Sequence, residues 1–84
     1  MIDKLREIFS TVLKIHEKSV VNSSSPDNIE SWDSLRHIHL VAALEEAFDV
    51  EFTDNEIVEM LNFEIISLTL EQKLKETNSY SNSR

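Results

Sequence analysis

The chain contains no cysteine and no glycine, and these absences restrict both its chemistry and its fold. Without cysteine it forms no disulfide, thiolate metal site or thiol nucleophile, so any sulfur chemistry must come from an attached group. Strand-rich domains of this length usually need glycine in their turns, so the lack of glycine and the single proline favour helices. At 84 residues we expect an all-α domain with one small core.

Long apolar runs and excess positive charge are absent too. No stretch approaches the about 20 apolar residues of a membrane span, and charged residues interrupt the N-terminus. We therefore expect a soluble, cytoplasmic protein with no membrane span. The formal net charge is −8, and residues 45–64 hold eight acidic side chains but no Lys or Arg. This acidic segment repels phosphate backbones and attracts basic proteins, so nucleic acid is not an expected partner.

The first part of the chain predicts one helix followed by a long loop. Apolar residues recur at three- and four-residue spacings from Ile2 to about Glu17, which is typical of a helix with one buried face. Residues 18–33 lose this period and contain three consecutive serines and a proline, which disfavour a helix. The expected anchors of this ordered loop are Val20, Val21, Ile29 and Trp32.

Capping residues mark the next two helices. Asp33 is a suitable N-cap for a second helix over residues 34–48. Thr53 and Glu56 have the spacing of a capping box, which predicts a short third helix over about residues 54–61.

A fourth helix is expected to begin at Ser67 and to end near Thr77. The predicted fold is therefore a small four-helix bundle, with three longer helices, one short helix and the long loop between helices one and two. Residues 1–77 form the expected domain, and residues 78–84 form an expected flexible C-terminal tail.

The second helix has apolar residues on two faces. Its expected core face consists of Leu40, Val41, Ala43, Leu44, Ala47 and Phe48. On the opposite face, Leu35, Ile38 and Ala42 lie among Ser34, His39, Glu45 and Glu46. An apolar strip bordered by acids is typical of a docking site. A slightly rotated helix that buries Leu35 and Ile38 in the core is the alternative.

Two segments of this chain resemble the acyl carrier protein family: Trp32-Asp33-Ser34-Leu35 and Val41-Ala42-Ala43-Leu44-Glu45-Glu46-Ala47-Phe48. Asp-Ser-Leu alone recurs by chance, but its combination with the downstream segment at this spacing is specific. The long loop, the short acidic third helix and the closing helix are also similar. The resemblance covers roughly residues 2–77.

The resemblance implies a non-catalytic carrier. Ser34 would be the hydroxyl that a phosphopantetheinyl transferase modifies with phosphopantetheine from coenzyme A, and the arm would carry acyl groups as thioesters. Asp33 would cap the helix and help to hold magnesium in the transferase complex. A serine in the first helical turn also lies beside free backbone amides, which favours a phosphodiester there by about 0.3–1 kcal/mol.

The resemblance also implies partners, namely the transferase and acyl-loading, condensing and acyl-transfer enzymes with basic surfaces. The carrier itself is expected to be a monomer. The expected docking residues are Leu35, Ile38, His39, Ala42, Glu45, Glu46, Glu51, Glu56 and Glu59. Exposed charge pairs of this kind speed encounter more than they tighten binding, which suits a carrier that visits several enzymes.

Several positions depart from the family pattern. Arg36, His37 and His39 stand where carriers of fatty acid synthesis usually have acidic or small polar residues, and Asp49 stands where a glycine commonly ends the second helix. These departures favour a dedicated pathway, such as polyketide, special-lipid or modified-sugar assembly. Glycines that usually precede the serine of aminoacyl carriers are replaced here by Ser31-Trp32, so that cargo is less favoured.

Two other classes of function remain as alternatives. In the first, the chain keeps the carrier fold but is an interaction module that works without the arm. A small hydrolase or metal-dependent enzyme is the other, but His16, His37 and His39 lack the spacing of paired metal ligands on one helical face.

Overall fold

The structure, a computed structural model, describes residues 1–82, with side chains described as far as Glu76. Its elements are α1 (Ile2–Leu13), a short 3₁₀ helix (Glu17–Ser19), α2 (Ser34–Phe48), α3 (Asp54–Glu59) and α4 (Phe63–Asn82). No strand occurs among the described residues. The predicted all-α fold, with a long loop between the first two longer helices, is confirmed.

Helix α1 ends earlier than the predicted Glu17. Lys14 adopts the left-handed conformation with φ 58°, and its amide donates to the carbonyl of Ser10. The Ser10 hydroxyl also donates to the carbonyl of Ile15 at 2.6 Å, which holds the turn that leaves the helix. Left-handed C-caps are common helix ends, although glycine is the usual residue there. Periodicity alone did not reveal this end, because half-buried Ile15 continues the apolar pattern.

Helices α2 and α3 begin at their predicted caps. The Asp33 carboxylate accepts from the amide of Arg36 at 2.8 Å. Both bonds of the capping box between Thr53 and Glu56 are present at the start of α3. Helix α2 ends at Phe48, and its C-cap, Asp49, adopts the left-handed conformation with φ 54° at the position where a glycine commonly stands. Helix α3 ends at Glu59, two residues before the predicted end.

The predicted start of α4 at Ser67 was wrong, because the helix begins four residues earlier at Phe63. The Asn62 side chain accepts from the amide of Ile65 at 2.7 Å and acts as the cap. Helix α4 continues past Thr77 to Asn82. The predicted flexible tail includes residues 83–84, which lie outside the described residues, and its flexibility stays a prediction. None of the helices among the described residues combines the length and apolarity needed to span a bilayer.

The core lies between α1, α2, α4 and the loop. Phe9 of α1 is at its centre, in edge-to-face contact with Trp32 of the loop at 5.4 Å and with Phe63 of α4 at 4.9 Å between ring centroids. The core face of α2 is buried at Leu40, Val41 and Leu44 and half-buried at Ala43, Ala47 and Phe48. Each fully buried large side chain of this kind contributes about 1.5–3 kcal/mol to stability.

The loop is ordered by contacts with the ends of the helices. The buried Ser24 accepts from the amide of Phe63 through its carbonyl at 2.9 Å, and so satisfies the first turn of α4. The Ser31 hydroxyl donates to the carbonyl of Leu13 at 2.6 Å at the other end of the core. Of the predicted anchors, Val20 and Trp32 are buried and Ile29 is half-buried. Val21 is 50% exposed, so its prediction as an anchor was wrong.

Candidate functional site

Ser34 occupies the first position of α2 and is exposed. Asp33, just before it, has an extended backbone and caps the helix through its side chain. The loop holds this junction in place, because buried Trp32 and half-buried Ser31 both contact other parts of the fold. The hydroxyl of Ser34 is therefore presented to solvent from a backbone that is held on both sides.

An apolar groove lies directly beside Ser34, between α2, α3 and the loop. It has a volume of about 510 Å³, within the range of small-molecule sites. Its exposed rim consists of Pro26, Asp33, Ser34, Ile38, Val58 and Leu61. Its floor consists of the buried Trp32 and Met60 and the half-buried His37 and Ile57. A larger depression of about 750 Å³ lies at the end of α1 and shares no residue with this groove.

A chain of two hydrogen bonds crosses the floor of the groove. The indole Nε1 of Trp32 donates to Nδ1 of His37 at 3.0 Å, and Nε2 of His37 lies 2.9 Å from the carbonyl oxygen of Ile57. Because an indole N–H only donates, Nδ1 must accept, and Nε2 of a neutral ring then donates to Ile57. The two rings are also stacked, with centroids 6.0 Å apart. His37 thus joins the loop, α2 and α3.

The sequence did not reveal this role of His37, which stood out only as a departure from the family pattern in early α2. A signal was available, because a buried tryptophan usually finds a partner for its N–H, and His37 lies five residues further along. Arg36 was also missed: its Nη1 donates to the carbonyl of Val12 at 2.7 Å and binds the end of α1. Of the three departures noted in early α2, only His39 is exposed.

The apolar docking strip predicted on α2 faces outward. Leu35 is 61% exposed and Ile38 is 62% exposed, which excludes the alternative that they pack in the core. Ala42 and His39 are exposed on the same helix. Val58 and Leu61, which the sequence did not single out, extend the exposed apolar surface across the groove to α3 and the turn after it.

The acidic residues predicted to dock partners fall into two groups. Glu46, Glu51 and Glu59 are exposed. Glu45 and Glu56 are instead engaged within the chain: the Glu45 carboxylate accepts from the amide of Phe52 at 2.9 Å, and Glu56 takes part in the capping box of α3.

Glu56 also forms an ion pair with Lys73 of α4 at 2.6 Å, and the ammonium lies 5.9 Å from the ring centroid of Phe52. Partial burial tends to raise the pKa of Glu56, but the hydrogen bonds from Lys73 and Thr53 and the charge of Lys73 outweigh it. The pKa therefore lies below its ordinary value of 4.5. This carboxylate connects α3 to α4.

Known proteins match this chain in sequence. The family described as phosphopantetheine attachment site matches residues 3–64, most of the chain. An acyl carrier protein of Buchnera aphidicola subsp. Schizaphis graminum is 37% identical over 59 residues, which are 70% of this chain and 73% of that protein. This chain belongs to the acyl carrier protein family.

The acyl carrier fold is equally clear. The solved structure of a holo acyl carrier protein from Geobacter metallireducens matches with a TM-score of 0.84 at 26% sequence identity, over 93% of this chain and 90% of that chain. The prosthetic group of this carrier is a covalently attached phosphopantetheine. The family is a family of non-catalytic carriers that work with partner enzymes.

The residues around Ser34 fit that group. A primary hydroxyl is exposed at the first position of a 15-residue helix, where backbone amides and the helix dipole favour a phosphodiester. The adjacent groove is apolar on its floor and most of its rim, so an acyl chain would fit beside this hydroxyl. Among residues with described side chains, no group of three potential ligands is placed to hold a metal ion.

Proposed function

We propose that Ser34 is the attachment site of phosphopantetheine and that the chain presents acyl thioesters from this arm to partner enzymes. The single observation that supports this most is the exposure of Ser34 at the start of α2, beside an apolar groove, in a chain of this family. When bound, the arm supplies the thiol that the cysteine-free chain lacks.

In the attachment step, Ser34 Oγ forms a new bond to the phosphorus that carries the pantetheine of coenzyme A. The bond from that phosphorus to the adenosine bisphosphate breaks, and the serine proton passes to a base of the transferase or to solvent. Asp33 holds the helix start, and its Oδ1 is engaged with Arg36. Its carboxylate would help to hold magnesium in the transferase complex, where the ion would offset the charge of the phosphate.

The test is incubation with coenzyme A and a broad-specificity phosphopantetheinyl transferase, followed by intact-mass measurement. We expect a gain of one phosphopantetheine in the wild type and in Ser23→Ala, and none in Ser34→Ala. Ser23 is a suitable control because it is exposed and its known contact, from the Asn28 side chain, uses only the backbone carbonyl. An unchanged mass in folded wild-type protein would reject the proposal.

We further propose that partners dock on the exposed strip of Leu35, Ile38 and Ala42, with His39 and the exposed acids Glu46, Glu51 and Glu59 around it. The partners are the transferase and acyl-loading, condensing and acyl-transfer enzymes with basic surfaces, in the cytoplasm. Glu45 and Glu56 contribute charge to this surface while their carboxylates also hold the fold.

The pathway is proposed to be a dedicated one, of the polyketide or special-lipid type. Support for this comes from His39, because Arg36 and His37 make contacts inside the fold and do not face partners. The competing function, an interaction module that works without the arm, requires that Ser34→Ala retain function in the host. Mass spectrometry of the protein purified from its host reports the arm and its acyl load together.

A further inference from the structure

The groove beside Ser34 is closed at its floor by a tryptophan that is only 2% exposed. One side of this residue contacts Phe9, which lies at the centre of the core. Its indole N–H is held by His37, which lines the same floor. An acyl chain that went deeper than this floor would therefore have to displace Trp32 from both contacts.

His37 also fixes the width of the groove. The ring is carried by α2 and bonded to the carbonyl of Ile57 in α3, which are the two helices that form the walls. Opening a path past the imidazole would break this bond and the bond from Trp32 together. Both bonds are partly shielded from water, where an unpaired donor or acceptor is unfavourable.

The rim of the groove has a different character. Ile38, Val58 and Leu61 are exposed and do not belong to the core, so they can cover a short apolar segment without rearrangement of the fold. The groove is thus shallow and largely apolar, and a chain of two hydrogen bonds crosses its floor. Such a site shields the first few carbons of an acyl group and leaves a longer chain in water.

We infer that the hydrogen-bonded chain Trp32–His37–Ile57 sets the depth of the groove and limits the shielded part of the cargo to the first few carbons of an acyl group. This rests on the proposed attachment at Ser34. His37 acts as a positioning residue: it holds Trp32 and α3, and through them it determines how much of the cargo is shielded.

The experiment loads the protein with a series of acyl-pantetheine arms, from acetyl to dodecanoyl, with a broad-specificity transferase and the matching acyl-coenzyme A. Hydroxylamine cleavage of the thioester measures shielding, and the indole N–H resonance of Trp32, the only tryptophan, reports on the floor. In the wild type we expect cleavage to slow several-fold between acetyl and about hexanoyl and then to level off. The indole resonance should stay in place for the longer chains.

Two variants test the floor directly. His37→Ala removes the ring, and Trp32→Phe keeps an aromatic ring but removes the N–H, so one remains informative where the other fails to fold. We expect shielding in either folded variant to keep increasing through octanoyl and dodecanoyl. His16→Ala is the matched control, because it changes an exposed histidine that lies outside the proposed docking surface and does not line the groove.

Two results would overturn the inference. One is shielding in the wild type that continues to increase to dodecanoyl while the indole resonance moves with chain length. The other is a folded His37→Ala or Trp32→Phe protein that levels off at the same length as the wild type. Intact mass separates these results from failure of the proposed function. A protein that gains no arm rejects the attachment at Ser34. A loaded protein that gives either contrary result rejects only the depth limit.

Discussion

The two faces of α2 use similar residue types for different purposes. On the inward face, Arg36 and His37 bind carbonyl oxygens of α1 and α3. On the outward face, Ile38 and His39 are exposed, although they directly follow the inward pair. The comparison teaches that residue type is a poor guide to function on this helix. What decides is whether a side chain completes a contact within the fold or is left available to a partner.

The largest effect is expected for the apolar residues of the inward face. Leu40→Ala should lower the free energy of unfolding by about 2–5 kcal/mol, because Leu40 is fully buried and its loss leaves a cavity. Leu35→Ala, on the outward face, should change it by less than about 0.5 kcal/mol. Urea denaturation of both variants checks this. Equal losses would mean that the two faces do not differ as described.

The two histidines sharpen the comparison with a matched pair. His37→Ala should cost about 1–3 kcal/mol, because it leaves the buried indole of Trp32 and the carbonyl of Ile57 without their partner. His39→Ala should have an effect within about 0.5 kcal/mol of zero. Thermal and urea unfolding measure both, and a destabilised His39→Ala protein would contradict the assignment of that side chain to the surface.

The outward face is tested by Leu35→Glu. We expect acyl transfer by a partner enzyme to slow about tenfold, equivalent to ~1.4 kcal/mol of lost docking energy, because a charge replaces an apolar contact. The unfolding midpoint should stay close to that of the wild type. The unfolding midpoint and the rate of acyl transfer are measured on the same variant. A large loss of stability with unchanged transfer would show that Leu35 supports the fold and does not serve docking.

The smallest effect is expected among the acids, where Glu56 is engaged and Glu59 is exposed. Because the folded pKa of Glu56 is lowered, its stabilisation is present above about pH 4.5 and is lost as the pH falls through the folded pKa. Glu56→Gln should therefore lower stability by at most about 1 kcal/mol at pH 7, and this difference from wild type should shrink as the pH falls below 4.5. Urea unfolding over a series of pH values, with Glu59→Gln as control, measures it.

Much of the fold was predictable because its helix starts depend on local chemistry. The caps at Asp33 and Thr53 each satisfy backbone amides three residues away, and such patterns are visible in sequence. The start of α4 was missed because Asn62 follows an apolar residue and precedes a run that has no clear helical period. Its amides are also satisfied by the loop carbonyls at Ser24 and Asn22, which are distant in sequence.

The candidate site also has a part that was predictable from sequence and a part that was not. The exposure of Ser34 and of the docking strip follows from the phase of one helix, which the sequence carries. The contacts of Arg36 and His37 join α2 to helices that lie 24 and 20 residues away along the chain. No local pattern specifies such long-range pairings, so the sequence did not reveal these contacts.

The first turn of α2 is bonded to its neighbours, and this affects how cargo is delivered to a partner. Asp33, Arg36 and His37 tie the first turn to its own backbone, to α1 and to α3, so Ser34 is a fixed pivot. A flexible tether on a fixed pivot sweeps a volume that depends on its own length alone. Once a partner has bound α2, the local concentration of cargo at the partner's reaction centre is set by the distance from this pivot.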